Sequence, residues 1–166
     1  MSFWPVPDVM KDDIYQITPR MFTNRGIRFI MLDVDNTIAP YTINEASPRL
    51  CGWVHDMKSA GLELFILSNN KGDRPAIFAE ALGLSYVKNA WKPFTKVAKE
   101  VLQEKGIDPA ETAIIGDQIY TDTACGKWLG AFTVLVHPIL FSNIWLKLRY
   151  YLEFPFRLKY KWRFMK

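Results

Sequence analysis

The sequence predicts an α/β fold, a Rossmann-like three-layer sandwich with a five-stranded parallel sheet. Short apolar runs alternate with helical patterns through the middle of the chain, which is typical of parallel strands covered by helices. The apolar runs are continuous, as expected for strands that are buried on both faces. The chain has 166 residues, of which 49% are hydrophobic and 23% are charged. This length and composition suit one packed domain.

The predicted elements follow one another between residues 27 and 136. Strands are expected over 27–33, 64–67, 85–87, 112–115 and 132–136. Helices are expected over 48–60, 75–82, 93–105 and 121–129. Ser47 and Pro48 give the first helix a cap and a first-turn proline, and Pro93 is expected to open the third helix. A glycine is expected to stop each helix, at Gly61, Gly83, Gly106 and Gly130.

We divide the chain into an N-terminal arm over 1–26, a core over 27–138 and a tail over 139–166. The arm carries Phe3, Trp4 and Val6. We expect the arm to pack over an edge of the sheet, with anchoring to another surface as the alternative. No N-terminal segment resembles a signal peptide, and no uncharged run reaches the ~18 residues of a spanning helix. We therefore expect a cytoplasmic protein, with membrane contact only at the inner face of the cell membrane.

The tail is basic and aromatic, whereas the rest of the chain is slightly acidic. Its basic residues, opposed only by Glu153, are Lys147, Arg149, Arg157, Lys159, Lys161, Arg163 and Lys166. Such a segment suits an anionic membrane surface, which is the partner we expect. Single-stranded nucleic acid and packing on the body or on a second copy are the alternatives. Pro155 is expected to break any long helix in the tail.

Two aspartates, Asp33 and Asp35, follow the first predicted strand. Residues two apart in a strand share a face, so both carboxylates can face the crevice at the strand end. One carboxylate can attack phosphorus, while the other gives a proton to the leaving oxygen and takes one from water. A phosphate dianion would be repelled by this pair unless a cation intervenes. Mg2+ bound by carboxylate and phosphate oxygens meets that need.

Polar residues near the other strand ends extend this constellation. Asp117 and Asp122 add carboxylates that can complete the Mg2+ site. Ser68 offers a hydroxyl, and the turn that starts at Asn69 offers backbone N–H groups for phosphate oxygens. The ammonium of Lys92 can neutralise charge on the phosphoryl group. Each residue alone is commonly a turn or a solvated residue, but the ordered set indicates a phosphoryl-transfer site.

This ordered set resembles the four motifs of the haloacid dehalogenase (HAD) superfamily of phosphatases. The stretch 33–37 looks like motif one, Ser68 motif two, Lys92 motif three and the stretch 116–122 motif four. The resemblance implies that Asp33 forms an aspartyl-phosphate and that Asp35 is the general acid and base. Dehalogenases lack the second aspartate, so its presence favours phosphoryl transfer over dehalogenation.

The same resemblance implies how a Mg2+ cofactor and the phosphate would be bound. The Mg2+ ligands would be the Asp33 carboxylate, the backbone carbonyl of Asp35, and Asp117. Asp122 would bind the ion directly or act through another ligand. Ser68 and Lys92 would contact the phosphoryl group.

A narrower similarity, from about Asp8 to Pro138, is to the bacterial YqeG-type subfamily. This subfamily is related to mitochondrial phosphatidylglycerophosphate phosphatases. The stretches that carry the similarity are 17–19, 33–37, 68–70, 90–93 and 116–122. The similarity implies phosphatidylglycerophosphate as the substrate and phosphatidylglycerol as the product.

The intervals between the motifs bear on substrate choice, because HAD enzymes often select substrates with cap domains inserted there. One loop, one helix and one strand fill the interval from Asp33 to Ser68. One helix and a short strand fill the interval from Ser68 to Lys92. Neither interval is long enough for a domain, so we expect no large cap and an open crevice. A crevice of this kind can admit a phosphate carried on a bulky surface, such as a protein, a nucleic-acid end or a lipid bilayer.

We therefore expect a Mg2+-dependent phosphatase of phosphomonoesters, with phosphatidylglycerophosphate as the leading substrate. One alternative is a phosphatase of soluble nucleotide or sugar phosphates. Another alternative, of a different class, is a binding module that keeps the fold without the chemistry. Assembly into a homo-oligomer, which can supply a lid, stays open at this point.

Overall fold

The computed structural model describes residues 5–140, 150–158 and 160. Six parallel strands form one sheet in the order β1-β6-β5-β2-β3-β4. They are β1 (Val9–Lys11), β2 (Phe29–Leu32), β3 (Glu63–Leu67), β4 (Ser85–Val87), β5 (Thr112–Gly116) and β6 (Phe132–Val136). The predicted parallel α/β fold is confirmed, but the predicted count of five strands is wrong.

The strand that the sequence did not predict is β1, which pairs with β6 at the edge of the sheet. Its three residues are partly buried and show no alternating pattern. The carboxylate of Asp8 attaches β1 by accepting hydrogen bonds from the backbone N–H and the hydroxyl of Thr133, both at 2.8 Å. Tertiary contact therefore makes this strand. Residues 9–11 of the arm thus lie at the sheet edge, whereas Phe3 and Trp4, on which the expected packing of the arm was based, lie outside the described residues.

Helices cover both faces of the sheet. They are α1 (Arg20–Thr23), α2 (Pro48–Ser59), α3 (Arg74–Leu82), α4 (Lys96–Lys105), α5 (Ala124–Leu129) and α6 over 150–158. Ile30 and Leu32 of β2 pack in one apolar cluster with α2 and α3. Phe29 and Met31 belong to a second cluster with α4 and α5. The alternation of neighbouring residues between two clusters gives the three layers that the sequence predicts.

The start of α2 agrees with the prediction, whereas the start of α4 does not. Ser47 Oγ accepts the N–H of Leu50 at 3.2 Å and caps α2. Pro93 does not open α4, which begins at Lys96. The preceding residues form a turn instead, in which the Lys92–Pro93 peptide is cis and Trp91 has a φ of 55°. A π-helical turn, Ile119–Thr123, likewise precedes α5, which is shorter than predicted.

The expected break at Pro155 is also wrong, because α6 is helical through that position. The side chains of Glu153 and Arg157 are buried against the body and lie 2.9 Å apart. Such contacts offset the backbone hydrogen bond that a proline removes from a helix. Packing on the body, one of the alternatives for the tail, is thus what α6 does. Other basic tail residues lie outside the described residues, namely Lys147, Arg149, Lys159, Lys161, Arg163 and Lys166.

The connections leave the carboxyl edge of the sheet without an inserted domain. A loop and α2 join β2 to β3, and a second loop and α3 join β3 to β4. Within the part of the chain that the structure describes, none of the helices has the length and apolar character needed to cross a bilayer.

Candidate active site

The carboxyl ends of three neighbouring strands gather the polar residues that the sequence singles out. Asp33 follows β2, Ser68 follows β3, and Asp117 follows β5. Because β2 lies between β3 and β5, these three positions are adjacent in the sheet. All three side chains are buried, and burial of the two carboxyl groups is uncommon for acidic residues that lack a partner.

Asp33 is held through both of its carboxylate oxygens. Its Oδ1 lies 2.7 Å from Lys92 Nζ, and its Oδ2 accepts the hydroxyl of Thr37 at 3.1 Å. Burial raises the pKa of Asp33 to about 7, against the opposing charge of Lys92 and with the help of Asp122 and Asp35. The ionised form of this carboxyl is therefore costly in the protein without a bound cation.

Lys92 is the buried cation of this site. Its ammonium donates to Asp33 Oδ1, to Asp122 Oδ1 at 2.6 Å and to the carbonyl of Leu67 at 2.7 Å. Burial by itself would lower the pKa of Lys92, but Asp122 and Asp33 outweigh it and hold that pKa above its usual value. The ammonium is therefore charged and has all three of its protons in hydrogen bonds.

Asn69 places Lys92 through a contact that we did not predict. Its Oδ1 accepts the backbone N–H of Lys92 at 2.7 Å, and its Nδ2 donates to the carbonyl of Lys92 at 2.8 Å. The side chain is therefore engaged with the backbone of the turn before Pro93. The phosphate contact expected of the Asn69 backbone N–H stays a prediction. Ser68, which is buried beside it, accepts the N–H of Asn70 on Oγ at 3.2 Å.

Asp35 is held on the other side of the crevice by two residues that sequence reasoning did not place there. Arg74 Nε lies 2.6 Å from Oδ1, and Asn70 Nδ2 donates to Oδ2 at 2.8 Å. Arg74 is the first residue of α3, where the helix dipole disfavours a positive charge. A positive charge is unfavourable at a helix start unless an acidic group pairs with it. The arginine at this position was therefore the signal in the sequence that could have indicated an acidic partner.

Arg74 also orders the loop after β2. Its Nη atoms donate to the carbonyls of Pro40 and Ala39 at 2.6 and 3.3 Å, and to Asn44 Oδ1 at 2.7 Å. The guanidinium is buried, so these contacts take place out of water. One side chain thus couples the position of Asp35 to the loop that borders the crevice.

Asp117 and Asp122 form an acidic cluster with Asp33. One carboxylate oxygen of each lies within 4.8 Å of the others. Asp122 reaches this position across Gly116, where an added Cβ would lie 2.1 Å from the Asp122 carboxyl carbon. Burial raises the pKa of Asp117, and the charges of Asp122 and Asp33 raise it further.

The residues of this cluster fit a divalent cation. Three buried carboxylates face a single ammonium, so negative charge is in excess. Carboxylate oxygens are the ligands that Mg2+ prefers. The carboxylate of Asp35 lies outside the cluster because Arg74 and Asn70 engage it. Any part of Asp35 in metal binding therefore falls to its backbone carbonyl. The Oδ1 of Asp122 is bonded to Lys92, and its Oδ2 accepts the backbone N–H of Gln118 at 3.2 Å and the hydroxyl of Thr121 at 3.3 Å.

The tail reaches this site, which sequence reasoning missed. Arg157 Nη2 donates to the backbone carbonyl of Asp117 at 3.1 Å. Glu153 Oε1 accepts the backbone N–H of Ile119 at 2.8 Å. The spacing of Glu153 and Arg157, four residues apart, indicated an ion pair on a helix but not its location.

The chain is similar to known phosphatases in sequence and in fold. Residues 90–138 match a family model of HAD-hydrolase-like proteins. The chain is 33% identical over 138 residues to "Probable phosphatase YqeG" of Bacillus subtilis, covering 83% of this chain and 80% of that protein. It is 28% identical over 144 residues to "Phosphatidylglycerophosphate phosphatase 1, chloroplastic/mitochondrial" of Arabidopsis thaliana, covering 81% of this chain but only 41% of that protein.

A solved structure gives the same result for the fold alone. It is the cobalt-bound form of the deoxy-D-mannose-octulosonate 8-phosphate phosphatase of Haemophilus influenzae, with a TM-score of 0.53 and 16% identity. The similarity covers 75% of each chain.

Proposed function

We propose a function for this chain on the basis of its family, since it belongs to the HAD superfamily of phosphatases, in the branch that contains YqeG. The protein is a Mg2+-dependent enzyme that hydrolyses a phosphomonoester through an aspartyl-phosphate on Asp33. The observation that carries the proposal is the buried contact of 2.7 Å between Asp33 Oδ1 and Lys92 Nζ, beside the carboxylates of Asp117 and Asp122. A nucleophile, a fixed cation and a set of metal ligands thus meet at one edge of the sheet.

In the first step, an oxygen of ionised Asp33 attacks phosphorus and the bond from phosphorus to the leaving oxygen breaks. Asp35 gives its proton to that oxygen, so the product leaves as an alcohol. Lys92, together with Ser68 and the backbone N–H of Asn69, holds the phosphoryl oxygens while their charge is redistributed. Asp33, Asp117 and Asp122 would hold Mg2+, which when bound would supply further neutralisation of the phosphate charge.

In the second step, Asp35 takes a proton from water, and the water oxygen attacks the phosphorus of the aspartyl-phosphate. The bond between phosphorus and Asp33 breaks, which restores the carboxylate and releases phosphate. In the substrate-free protein both oxygens of Asp35 accept hydrogen bonds, an arrangement that suits this role as a base. The proton that Asp35 takes from water in this step is the one that it gives to the leaving oxygen in the next turnover, when it exchanges its contact with Asn70 for one with that oxygen.

We propose phosphatidylglycerophosphate as the substrate. The Arabidopsis relative that is named for this reaction supports the choice, although the chain spans less than half of that relative. The absence of an inserted domain between β2 and β3, or between β3 and β4, also supports it. A phosphate that stays attached to a bilayer needs a crevice without a cover of that kind.

We further propose that the tail places the enzyme on an anionic membrane. The outer face of α6 carries large apolar residues in water, with Tyr151 exposed by 71% and Phe154 by 51%. Leu152 and Leu158 of the same helix are exposed as well. Basic residues in the sequence on both sides of α6 complement the charge of anionic lipid. The protein is then peripheral on the membrane rather than embedded in it.

The reaction is tested with purified protein, phosphatidylglycerophosphate in mixed micelles and p-nitrophenyl phosphate, each with Mg2+ or with EDTA. We expect Mg2+-dependent phosphate release from both, a higher kcat/KM for the lipid, and none from Asp33→Asn. Hydrolysis of the aryl phosphate with the lipid left untouched would refute the lipid substrate and favour soluble phosphates. Release of phosphate by Asp33→Asn would refute the mechanism.

Membrane contact is tested by sedimentation with vesicles of phosphatidylglycerol. Replacing Tyr151 and Phe154 with serine should weaken binding by at least about tenfold, because two buried aromatic side chains are lost from the lipid contact. Ile77→Ser removes an exposed apolar side chain from α3 and is the matched control. Equal binding of all three proteins, or equal binding to neutral vesicles, would contradict the proposal.

A further inference from the structure

We propose that Glu153 and Arg157 of α6 are positioning residues for the metal site. They would fix the loop over 117–120 and so set how tightly Asp117 and Asp122 hold a divalent cation. The inference rests on the proposed function, since the cation is the one proposed there.

Arg157 is the first connection between α6 and the loop. It is only 4% exposed, and its Nη2 donates both to the carbonyl of Asp117 at 3.1 Å and to Glu153 Oε2 at 2.9 Å. Its guanidinium lies over the ring of Tyr150, with Cζ 4.4 Å from the ring centre. A buried charge loses much of its stabilisation when its partners move away, so Arg157 resists any shift of the Asp117 backbone.

Glu153 and its neighbours supply the second connection. Glu153 is 2% exposed, and its Oε1 accepts the N–H of Ile119 at 2.8 Å. The hydroxyl of Tyr120 donates to the carbonyl of Leu152 at 2.9 Å, and its ring packs edge-on against Phe156. Three positions of the loop, at 117, 119 and 120, are therefore bonded to one helix.

The loop held in this way begins with one acidic residue of motif four and leads directly into the turn that carries the other. Asp117 is its first residue, and the π-helical turn Ile119–Thr123 contains Asp122. The close approach of Asp122 to Gly116 leaves little room for one to move without the other. A displacement of the loop would therefore shift two carboxylates of the acidic cluster together, relative to Asp33 on β2.

The incomplete pairing of Arg157 favours a positioning role over a purely stabilising one. Its Nε and Nη1 are buried and make no hydrogen bond within the described part of the chain. A buried arginine that leaves nitrogens unpaired among the described residues stabilises its helix less than a fully paired one would. Arg157 also donates a hydrogen bond to the backbone carbonyl of Asp117, a proposed metal ligand, which an apolar side chain could not do.

The test measures Mg2+ binding to the metal-free, full-length protein by titration calorimetry, without substrate. Arg157→Lys replaces a fork of donors by a single point charge, and Glu153→Gln keeps an acceptor for Ile119 but loses the charge that pairs with Arg157. We expect the Kd for Mg2+ to rise about 10- to 100-fold in Arg157→Lys, the range found when residues behind metal ligands are changed, and less in Glu153→Gln. Amide exchange at Ile119 should become faster in both variants.

The matched control is Glu111→Gln, which breaks an exposed ion pair with Arg28 of the same 2.9 Å length. It should leave the Kd unchanged. Because Glu153→Gln is nearly isosteric, it keeps the test valid if Arg157→Lys does not fold. Raising the Mg2+ concentration should restore the kcat of folded variants, which a general loss of stability would not explain.

The outcomes separate this inference from the proposed function. If the wild-type protein binds Mg2+ without hydrolysing any phosphomonoester, and the α6 variants bind more weakly, the inference stands and the function is refuted. If the wild type is active and the folded variants bind Mg2+ with the wild-type Kd, the inference is refuted alone. A wild-type protein that does not bind Mg2+ overturns both.

Discussion

Replacing Asp33 with asparagine should make the Mg2+-free protein more stable at neutral pH, although it removes the proposed nucleophile. In the folded chain, burial raises the pKa of Asp33 from 3.8 to about 7. The folded pKa thus lies above the unfolded one. The contribution of this group to stability is therefore full below about pH 4 and is lost as the pH rises through 7.

The size of the effect follows from the same two values. A pKa of about 7 in place of 3.8 corresponds to a free energy on the order of 4 kcal/mol. Asparagine has nearly the same shape and no charge, and its Oδ1 can still accept from Lys92. At pH 8 without Mg2+, Asp33→Asn should therefore unfold with a free energy a few kcal/mol above that of the wild type. Near pH 4 the difference should disappear.

Urea unfolding at pH 4, 6 and 8, in EDTA and in Mg2+, measures these differences. Mg2+ should stabilise the wild type more than Asp33→Asn, because one carboxylate ligand is missing from the variant. Asp73→Asn is the matched control, since it changes an exposed carboxylate that pairs with Lys88. The reasoning fails if Asp33→Asn is the less stable protein at pH 8 in EDTA, or if both proteins show the same dependence on pH.

Three further substitutions test the contacts around the site. Lys92→Met leaves Asp33 and Asp122 without their ammonium, so the free energy of unfolding in EDTA should fall by about 3–5 kcal/mol. Phosphate release should be abolished, and stability at the wild-type level would contradict this reasoning. Arg74→Lys cannot keep the several contacts through which Arg74 holds Asp35 and the loop beside it. Steady-state kinetics should therefore show a kcat about 100-fold lower with little change in KM. An unchanged kcat would contradict the role given to Arg74. Gly116→Ala places a Cβ against Asp122, so calorimetry should show weaker Mg2+ binding and the free energy of unfolding should fall by about 1–3 kcal/mol. Wild-type values for both quantities would refute the close contact.

The central strands of the sheet could be predicted from the sequence because each is a short apolar run that is visible locally. Phe29–Leu32 and Thr112–Gly116 are short apolar runs, and an aspartate directly follows each of them. The carboxyl ends of neighbouring parallel strands meet at one edge, so the proximity of Asp33 and Asp117 followed from the fold class. Ser68 follows β3 and lies at the same edge, whereas Lys92 was expected at a helix start and lies in the turn before α4. The roles of both residues remain proposals.

The remaining parts depend on contacts between residues far apart in the chain. β1 exists because Asp8 bonds to Thr133, which a three-residue segment cannot reveal. The helix through Pro155 is stabilised by tertiary contacts of Glu153 and Arg157 that no local propensity encodes. The ion pair between Asp35, after β2, and Arg74, at the start of α3, likewise joins residues from two separate elements. The unfavourable positive charge at a helix start was its signal in the sequence.

The central claim, that Asp33 carries the phosphoryl group during turnover, can be tested by trapping the intermediate. The protein is mixed with substrate and Mg2+, quenched in acid within the first turnover and reduced with borohydride, and peptides are then analysed by mass spectrometry. Reduction of an aspartyl-phosphate converts the residue to homoserine, so we expect homoserine at position 33 and nowhere else. Phosphate release without any homoserine, or homoserine at another aspartate, would contradict the account.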